Sequence, residues 1–266
     1  MKRAVLAVSF LALCSLPALA ADRLTDKDVK ALVARIEQGR DRFDDALDDR
    51  VKQDIVRGPS GEVKVEHYLN DFQENIDRVE ERLKPDYAAS AEVATLLRQA
   101  TIIDTAFRRQ PGGIRGESEW NRLTIDLNTL AMAYGVSFPL NENAAVRRIG
   151  DRELSDAIEE VAETAGRLKK SLGNELKKDP TINKESREAI VAEADQLARD
   201  AKALRNRVKD GNPSSAEADQ LLVGAARMQT ILEKQQVPTS AGIWTNATEP
   251  LQSLASAYGG SWVVHR

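Results

Sequence analysis

Two tryptophan–tyrosine pairs are the residues of this sequence whose types and spacing best fit a binding role. Trp120 lies fourteen positions before Tyr134, and Trp244 lies fourteen positions before Tyr258. Fourteen residues make about four helical turns, so each pair shares one helix face with the leucines between them. Such a face can form an aromatic slot for an apolar or sugar-like ligand, or it can pack into a core. Packing is the commoner role for such residues, and we expect it here. If the faces do bind a ligand, these four aromatic residues are the candidate contacts.

Catalysis by metals, haem or thiols requires side chains that this sequence scarcely contains. It has two histidines, His67 and His265, and one cysteine, Cys14. Neither histidine belongs to the Glu-x-x-His motif of bundle di-iron sites, and the histidines and methionines make a poor set of haem ligands. No serine has a histidine that the pattern places beside it, and no glycine-rich phosphate loop follows a strand. We therefore predict no catalytic residue, no metal site and no cofactor.

A cluster of five aspartates in the first helical segment raises the question of a calcium site. Calcium loops supply their oxygens from a loop with a tight glycine turn. These aspartates instead alternate with arginine and lysine at helical spacing, which is typical of a solvated, ion-paired helix face. We predict such a face for Asp41, Asp44, Asp45, Asp48 and Asp49.

The overall composition is that of a globular protein without a basic field. The chain has 266 residues, of which 42% are hydrophobic, 30% charged and 5% aromatic. This is too apolar for a disordered chain and sufficient for one large domain or two small ones. Because the net charge is −4, nucleic acid is not an expected partner.

The first twenty residues read as a cleaved export signal. A basic start, Met1-Lys2-Arg3, precedes an apolar run over 4–13 and the small-x-small triplet Ala18-Leu19-Ala20. Cleavage after Ala20 removes Cys14 and two positive charges, which leaves a net charge of −6 and no disulfide chemistry. Leu13 is too bulky for a lipidation signal at Cys14. No later apolar run reaches membrane-spanning length, so we expect a periplasmic or secreted protein.

The rest of the sequence repeats itself. Residues 120–137 and 244–261 are identical at nine of eighteen positions, where about one identity is expected by chance. Upstream the shift is 125 residues, and it aligns Asp26 with Asp151 and Asp54 with Asp179. We predict a first repeat at 21–140, a linker at 141–146 and a second repeat at 147–266. Lys169, Lys170 and Gly173 replace aspartates of the first copy, so the acidic cluster is not repeated.

Apolar residues at spacings of three and four predict four amphipathic helices in each copy. The first is expected over 26–55, with a capping box formed by Thr25 and Asp28. The sequence contains no alternation of β-branched residues that would indicate a strand, so we expect none. Pro250 lies mid-helix by the repeat and favours a late start of its helix, with Thr248 as N-cap and Trp244 on the incoming loop.

These features predict an all-α fold of two tandem antiparallel four-helix bundles that arose from an internal duplication. A domain-swapped or continuous eight-helix arrangement would bury the same apolar stripes, so the sequence pattern does not distinguish it from two separate bundles. The expected function is non-enzymatic binding or scaffolding in the bacterial periplasm or envelope, with a protein or envelope component as partner. One alternative is a carrier of a small apolar ligand or lipid in the bundle interior. The least favoured alternative is a hydrolase with acids at the bundle junction.

Overall fold

The structure is a computed structural model that describes residues 23–58, 61–108 and 115–262, apart from the side chains of residues 57 and 58. This part of the chain is mostly helical, as the apolar spacing predicts. The predicted signal segment and His265 lie outside the described residues.

In the described residues of the first helical unit there are five helices and two paired β-strands. They are α1 (Asp26–Ala46), α2 (Asp49–Lys52), β1 (Ile55–Gly58), β2 (Gly61–Lys64), α3 (Val65–Arg82), α4 (Ser90–Arg108) and α5 (Glu117–Ala133).

The second helical unit contains five helices and a short 3₁₀ turn. They are α6 (Asp151–Glu175), α7 (Lys184–Lys209), α8 (Ser215–Lys234), α9 (Pro238–Trp244), the 3₁₀ turn Thr245–Ala247 and α10 (Thr248–Ala257).

Helix α1 begins where the sequence predicts. The Thr25 side chain accepts a hydrogen bond from the Asp28 amide, and the Asp28 carboxylate accepts one from the Thr25 amide. Two otherwise unpaired donors are thereby satisfied, and the acidic first turn favours the positive end of the helix.

Helix α1 ends nine residues earlier than predicted. The backbone turns to an extended conformation at Leu47 (φ −73°, ψ 139°), and the short helix α2 follows. The apolar side chains continue to face the core through this break, since Leu47 is buried and Val51 still packs against the first core. A periodic stripe therefore predicts which side chains reach the core, but not whether one helix carries them all.

The expectation that the chain has no strand is wrong for residues 55–58 and 61–64. β1 pairs antiparallel with β2, and Val56 lies opposite Val63. Both valines are half-buried against the first core. Each strand has four residues and sends inward only one β-branched side chain that the structure describes, which is too short an alternation to stand out in the sequence.

The buried apolar side chains form two separate cores, one in each helical unit. The first contains Val29, Phe43, Phe72 and Leu127, and the second contains Leu154, Leu172, Leu204 and Leu254, among others. The stripes of the predicted helices thus face inward in both units.

Helices α6 and α7 pack closely along their length. The ion pairs Glu159–Arg205 and Lys169–Asp195 show that they run antiparallel. Ala194 and Ala201 on α7 are fully buried. Small side chains in this interface let the helices approach each other instead of leaving a cavity between them.

The segment that joins the two units is attached to the first. The Leu140 amide donates to Thr101 Oγ1 at 2.8 Å, the Arg147 amide to the Tyr134 carbonyl at 3.1 Å, and the Arg148 amide to Ser90 Oγ at 3.2 Å. The connection is therefore a fixed part of the first unit and not a free tether.

The region around Pro250 differs from the prediction in two respects. Helix α10 does begin at Thr248, but Thr248 makes no side-chain cap, and the preceding N-cap position is Ala247. Trp244 is the last residue of helix α9 and does not lie on a loop. Pro250 fits in the first turn of α10, where a missing N–H costs no helical hydrogen bond.

Candidate functional site

Trp120 lies in the first core, within an aromatic cluster. Its ring centroid is 5.0 Å from that of Phe43 and 6.2 Å from that of Phe107. Only 3% of the residue is exposed, and its indole Nε1 donates to Asp104 Oδ1 at 2.9 Å. Arg108 Nε donates to the other carboxylate oxygen at 2.6 Å, so the buried carboxylate of Asp104 has a partner on each oxygen.

Tyr134 and Tyr258 occupy equivalent places at the ends of α5 and α10. The Tyr134 hydroxyl donates to the Ala88 carbonyl at 2.6 Å, and the Tyr258 hydroxyl shares a hydrogen bond of 2.7 Å with Ser214 Oγ. Burial raises the pKa of Tyr134 to about 12 and also raises the pKa of Tyr258. Each tyrosine ties the end of its helix to the segment that leads into α4 or α8.

Trp244 is buried in the second core at the end of α9. Each tryptophan–tyrosine pair thus lies in the core of its own unit, the first pair in the first core and the second pair in the second. Among the described pockets, none is lined by any of these four aromatic residues. Their contacts are those of packing residues with satisfied polar tips.

The two helical units meet in a reciprocal set of ion pairs. The Arg23 guanidinium donates to the Asp151 carboxylate and to the Ile149 carbonyl. In the same way, Arg148 donates to the Asp26 carboxylate and to a backbone carbonyl, that of Leu24. Each arginine therefore binds the first residue of the opposite unit's leading helix.

Backbone hydrogen bonds complete this junction. The Asp26 amide donates to Asp151 Oδ2 at 2.8 Å, and the Asp151 amide donates to Asp26 Oδ2 at 3.1 Å. The side chains of Arg23 and Arg148 are only 9% and 3% exposed. Charge-assisted hydrogen bonds in such a dry setting are directional and strong, so they fix the angle between the two helix starts.

Sequence reasoning aligned Asp26 with Asp151 but overlooked the two arginines. Arg148 follows Arg23 by the same shift of 125 residues. That identity was available in the sequence. What the sequence does not contain is that each arginine donates its hydrogen bonds to the aspartate of the other unit, although Arg148 also lies 3.8 Å from Asp151 of its own unit.

A second surface feature is an open groove between α6 and α7, with a volume of about 540 Å³. We call it the α6/α7 groove. Gly173 and Ala192 lie along it with the partly buried Val191, and four cationic side chains surround them. The cations are Lys169, Lys177, Lys184 and Arg187.

The cations of the α6/α7 groove are only partly neutralised. Lys169 Nζ donates to Asp195 at 2.7 Å, and Arg199 donates to the same carboxylate. These two hydrogen bonds hold the pKa of Asp195 below its ordinary value.

Towards the α6–α7 loop the charge balance changes. Lys184 lies 3.7 Å from Glu188. Lys177 and Arg187 make no ion pair within the described part of the chain. The loop end of the α6/α7 groove is therefore electropositive.

The acidic cluster of α1 lies beside basic side chains, as predicted for a solvated face. Asp44 pairs with Arg40 and Lys52, and Asp48 pairs with Arg115. Within the described ranges, no three histidine, cysteine or acidic side chains are grouped so that they could hold a metal ion. No described helix combines the length and hydrophobicity that crossing a membrane requires.

Comparison of the chain with protein-family models, with curated proteins and with solved structures gives no match.

Proposed function

We propose that this chain is an exported, non-enzymatic binding or scaffold protein. In this proposal it consists of two tandem four-helix bundles that arose by duplication and are held as one rigid pair. Cleavage after Ala20 would deliver it to the periplasm or the extracellular medium, where a protein or envelope component binds its surface.

The single observation that carries the proposal is the reciprocal junction. Arg23 and Asp26 of one copy pair with Asp151 and Arg148 of the other, at positions 125 residues apart. A scaffold must hold its surfaces at a fixed separation, and a dry network of paired charges does this better than an open linker.

The buried polar side chains support a packing role in preference to a reactive one. Asp200 Oδ1 accepts hydrogen bonds from the amides of Gln196 and Gln220. At the equivalent place in the first unit, Asn75 donates to Gln99, whose own amide donates to the Tyr68 carbonyl. The Gln220–Asp200 bond joins α8 to α7, and the bonds of Gln99 join α4 to α3, so these polar groups hold neighbouring helices together.

Photo-crosslinking in cells tests the binding function. A photoreactive phenylalanine analogue is placed at Ala192, which lines the α6/α7 groove, or at Ala203, an exposed alanine of the same helix. Light should give a discrete adduct of the exported chain from position 192 and little from position 203. The same preparation should yield a mature protein whose mass corresponds to a start at Ala21.

Two results would contradict the proposal. One is the absence of any adduct from position 192, which would leave the groove without an occupant in the cell. The other is a chain that stays in the cytoplasm with residues 1–20 attached, which would reject export.

An amphiphile carrier is the second candidate function, and the α6/α7 groove is the observation that favours it. The site differs from the bundle interior suggested by the small residues of α7, because Ala194 and Ala201 lie in a closely packed interface.

A further inference from the structure

We infer that the α6/α7 groove binds an anionic amphiphile, a molecule with an apolar chain and one carboxylate or phosphate headgroup. This inference deepens the proposed binding function and rests on it. Three features of the groove carry the argument: its apolar floor, its cationic end and its open glycine.

The floor of the groove is apolar and accessible. Val191 packs against the second core from one side and lines the groove on the other, and Ala192 is exposed beside it. The alkyl stems of the surrounding lysines extend this apolar surface, since a lysine keeps only its ammonium in water. An apolar chain lying here would remove this surface from water.

The charge is concentrated at one end. At the end of the groove away from the α6–α7 loop, Asp195 neutralises Lys169 and also pairs with Arg199. At the loop end, Lys177 and Arg187 have no carboxylate partner within the described residues. A ligand that matches both parts has its chain along the middle of the groove and its anionic headgroup between these two side chains.

The glycine shows that the groove has room. A Cβ built on Gly173 would meet no atom within 4 Å, although the residue is partly buried in the groove wall. A side chain at this position would therefore occupy groove space without disturbing the core. Gly166, two turns earlier on the same helix, is equally open but does not line the groove.

The first unit provides a contrast inside the same chain. By the repeat, Asp44, Asp45 and Asp48 lie where the second unit has Lys169, Lys170 and Gly173. The first unit is thus acidic at these three positions, although Lys52 stands where the second unit has Lys177. The inference accordingly assigns one amphiphile site to the chain, and a titration should give a stoichiometry of one.

Calorimetric titration of the mature chain tests the inference. The probes are decanoate and decyl phosphate below their micelle concentrations, with decanol and inorganic phosphate as controls that lack the charge or the chain. We expect both anions to bind once per chain and both controls to bind at least about tenfold more weakly.

Two matched pairs of variants locate the site. Gly173→Leu should abolish decanoate binding, whereas Gly166→Leu should leave it unchanged, and both replacements suit a helix better than glycine. Lys177→Gln combined with Arg187→Gln should weaken binding about tenfold, whereas Lys178→Gln outside the groove should not. Far-ultraviolet circular dichroism checks that all variants are folded.

Several outcomes would overturn the inference. They are equal binding of decanol and decanoate, unchanged affinity in Gly173→Leu, and binding of an acidic amphipathic peptide in place of decanoate. If neither decanoate nor decyl phosphate binds but crosslinking at Ala192 still gives an adduct, this inference is wrong and the proposed function stands. If neither amphiphile binds and crosslinking at Ala192 gives no adduct, the proposed function is wrong as well.

Discussion

Asp26 and Asp151 each accept a hydrogen bond from the other's backbone amide. The bond donated by the Asp26 amide is 2.8 Å long, and the bond donated by the Asp151 amide is 3.1 Å long. Each aspartate begins the leading helix of its unit, so each carboxylate also lies near the positive ends of two helices. With Arg23 and Arg148 added, two equivalent halves of the sequence hold each other by equivalent groups.

Replacement of Arg148 by glutamine should weaken the fold. Its side chain is 3% exposed and binds Asp26 and the Leu24 carbonyl. Loss of the guanidinium leaves the largely buried Asp26 carboxylate without its charged partner, which costs about 2 kcal/mol. Urea denaturation measures this loss.

The control for Arg148 is Arg78→Gln, which breaks an exposed i,i+4 pair with Glu74. Both side chains of that pair are more than half exposed, so the expected loss is below about 1 kcal/mol. Equal losses in the two variants would mean that the junction contributes no more than an ordinary surface pair.

Leu127→Ala should cost about 2–5 kcal/mol of unfolding free energy, because Leu127 is fully buried in the first core. Ile125 is on the same helix but 66% exposed, so Ile125→Ala should change stability very little. Thermal melts of both variants make the comparison. A melt of Leu127→Ala that matches the unmodified chain would reject the placement of this helix face.

Two helical glycines should respond to alanine in opposite directions. Gly166 has open space around an added Cβ, so Gly166→Ala should stabilise the fold by about 0.5–1 kcal/mol. A Cβ on Gly39 would lie 3.0 Å from Cδ1 of the buried Leu123. Gly39→Ala should therefore lower the melting temperature, because Leu123 cannot move away within a packed core. Stabilisation by both substitutions would show that α1 and α5 are not in close contact at this point.

Glu175 should make stability depend on pH. Burial alone would raise its pKa, but hydrogen bonds from the Ser240 hydroxyl and from the amides of Thr239 and Ser240 outweigh burial and hold the pKa below 4.5. The native state therefore favours the carboxylate. Its contribution is fully present above the ordinary pKa and disappears as the pH falls through the lowered one.

Glu175→Gln tests this dependence. The variant should be less stable by about 1 kcal/mol near neutral pH, as for the loss of a helix cap, since the carboxylate caps the start of α9. The difference from the unmodified chain should shrink at pH values below 4.5. Glu163→Gln, at an exposed position of the same helix, should not alter the pH profile. A constant difference across the range would reject the hydrogen-bonded carboxylate.

The sequence predicted well what depends on neighbours along the chain. The Thr25–Asp28 capping box and the inward face of Val29, Val33 and Ile36 are local properties, set by propensity and helical period. The break of α1 at Leu47 was missed because the buried side chains keep the same period across it.

The junction and the α6/α7 groove, on which the proposals rest, depend on residues that are distant in the sequence. Arg23 lies three residues before Asp26, the first residue of α1, but its partner is Asp151 in the other unit. The α6/α7 groove is formed by cations from two helices that pack against each other through buried residues such as Ala194 and Leu168. A single sequence contains the residues of both sites but not the geometry that brings them together.

The distance between the two units tests the central claim most directly. A chain that begins at Ala21 contains no cysteine, so Gln38→Cys and Glu163→Cys place one spin label at an exposed position in each unit, 125 residues apart. Double electron–electron resonance should give a single narrow distance distribution. The same labels combined with Arg23→Gln and Arg148→Gln should give a broad one. A broad distribution in the intact junction, or a narrow one that survives its removal, would contradict a rigid pair held by reciprocal arginine–aspartate contacts.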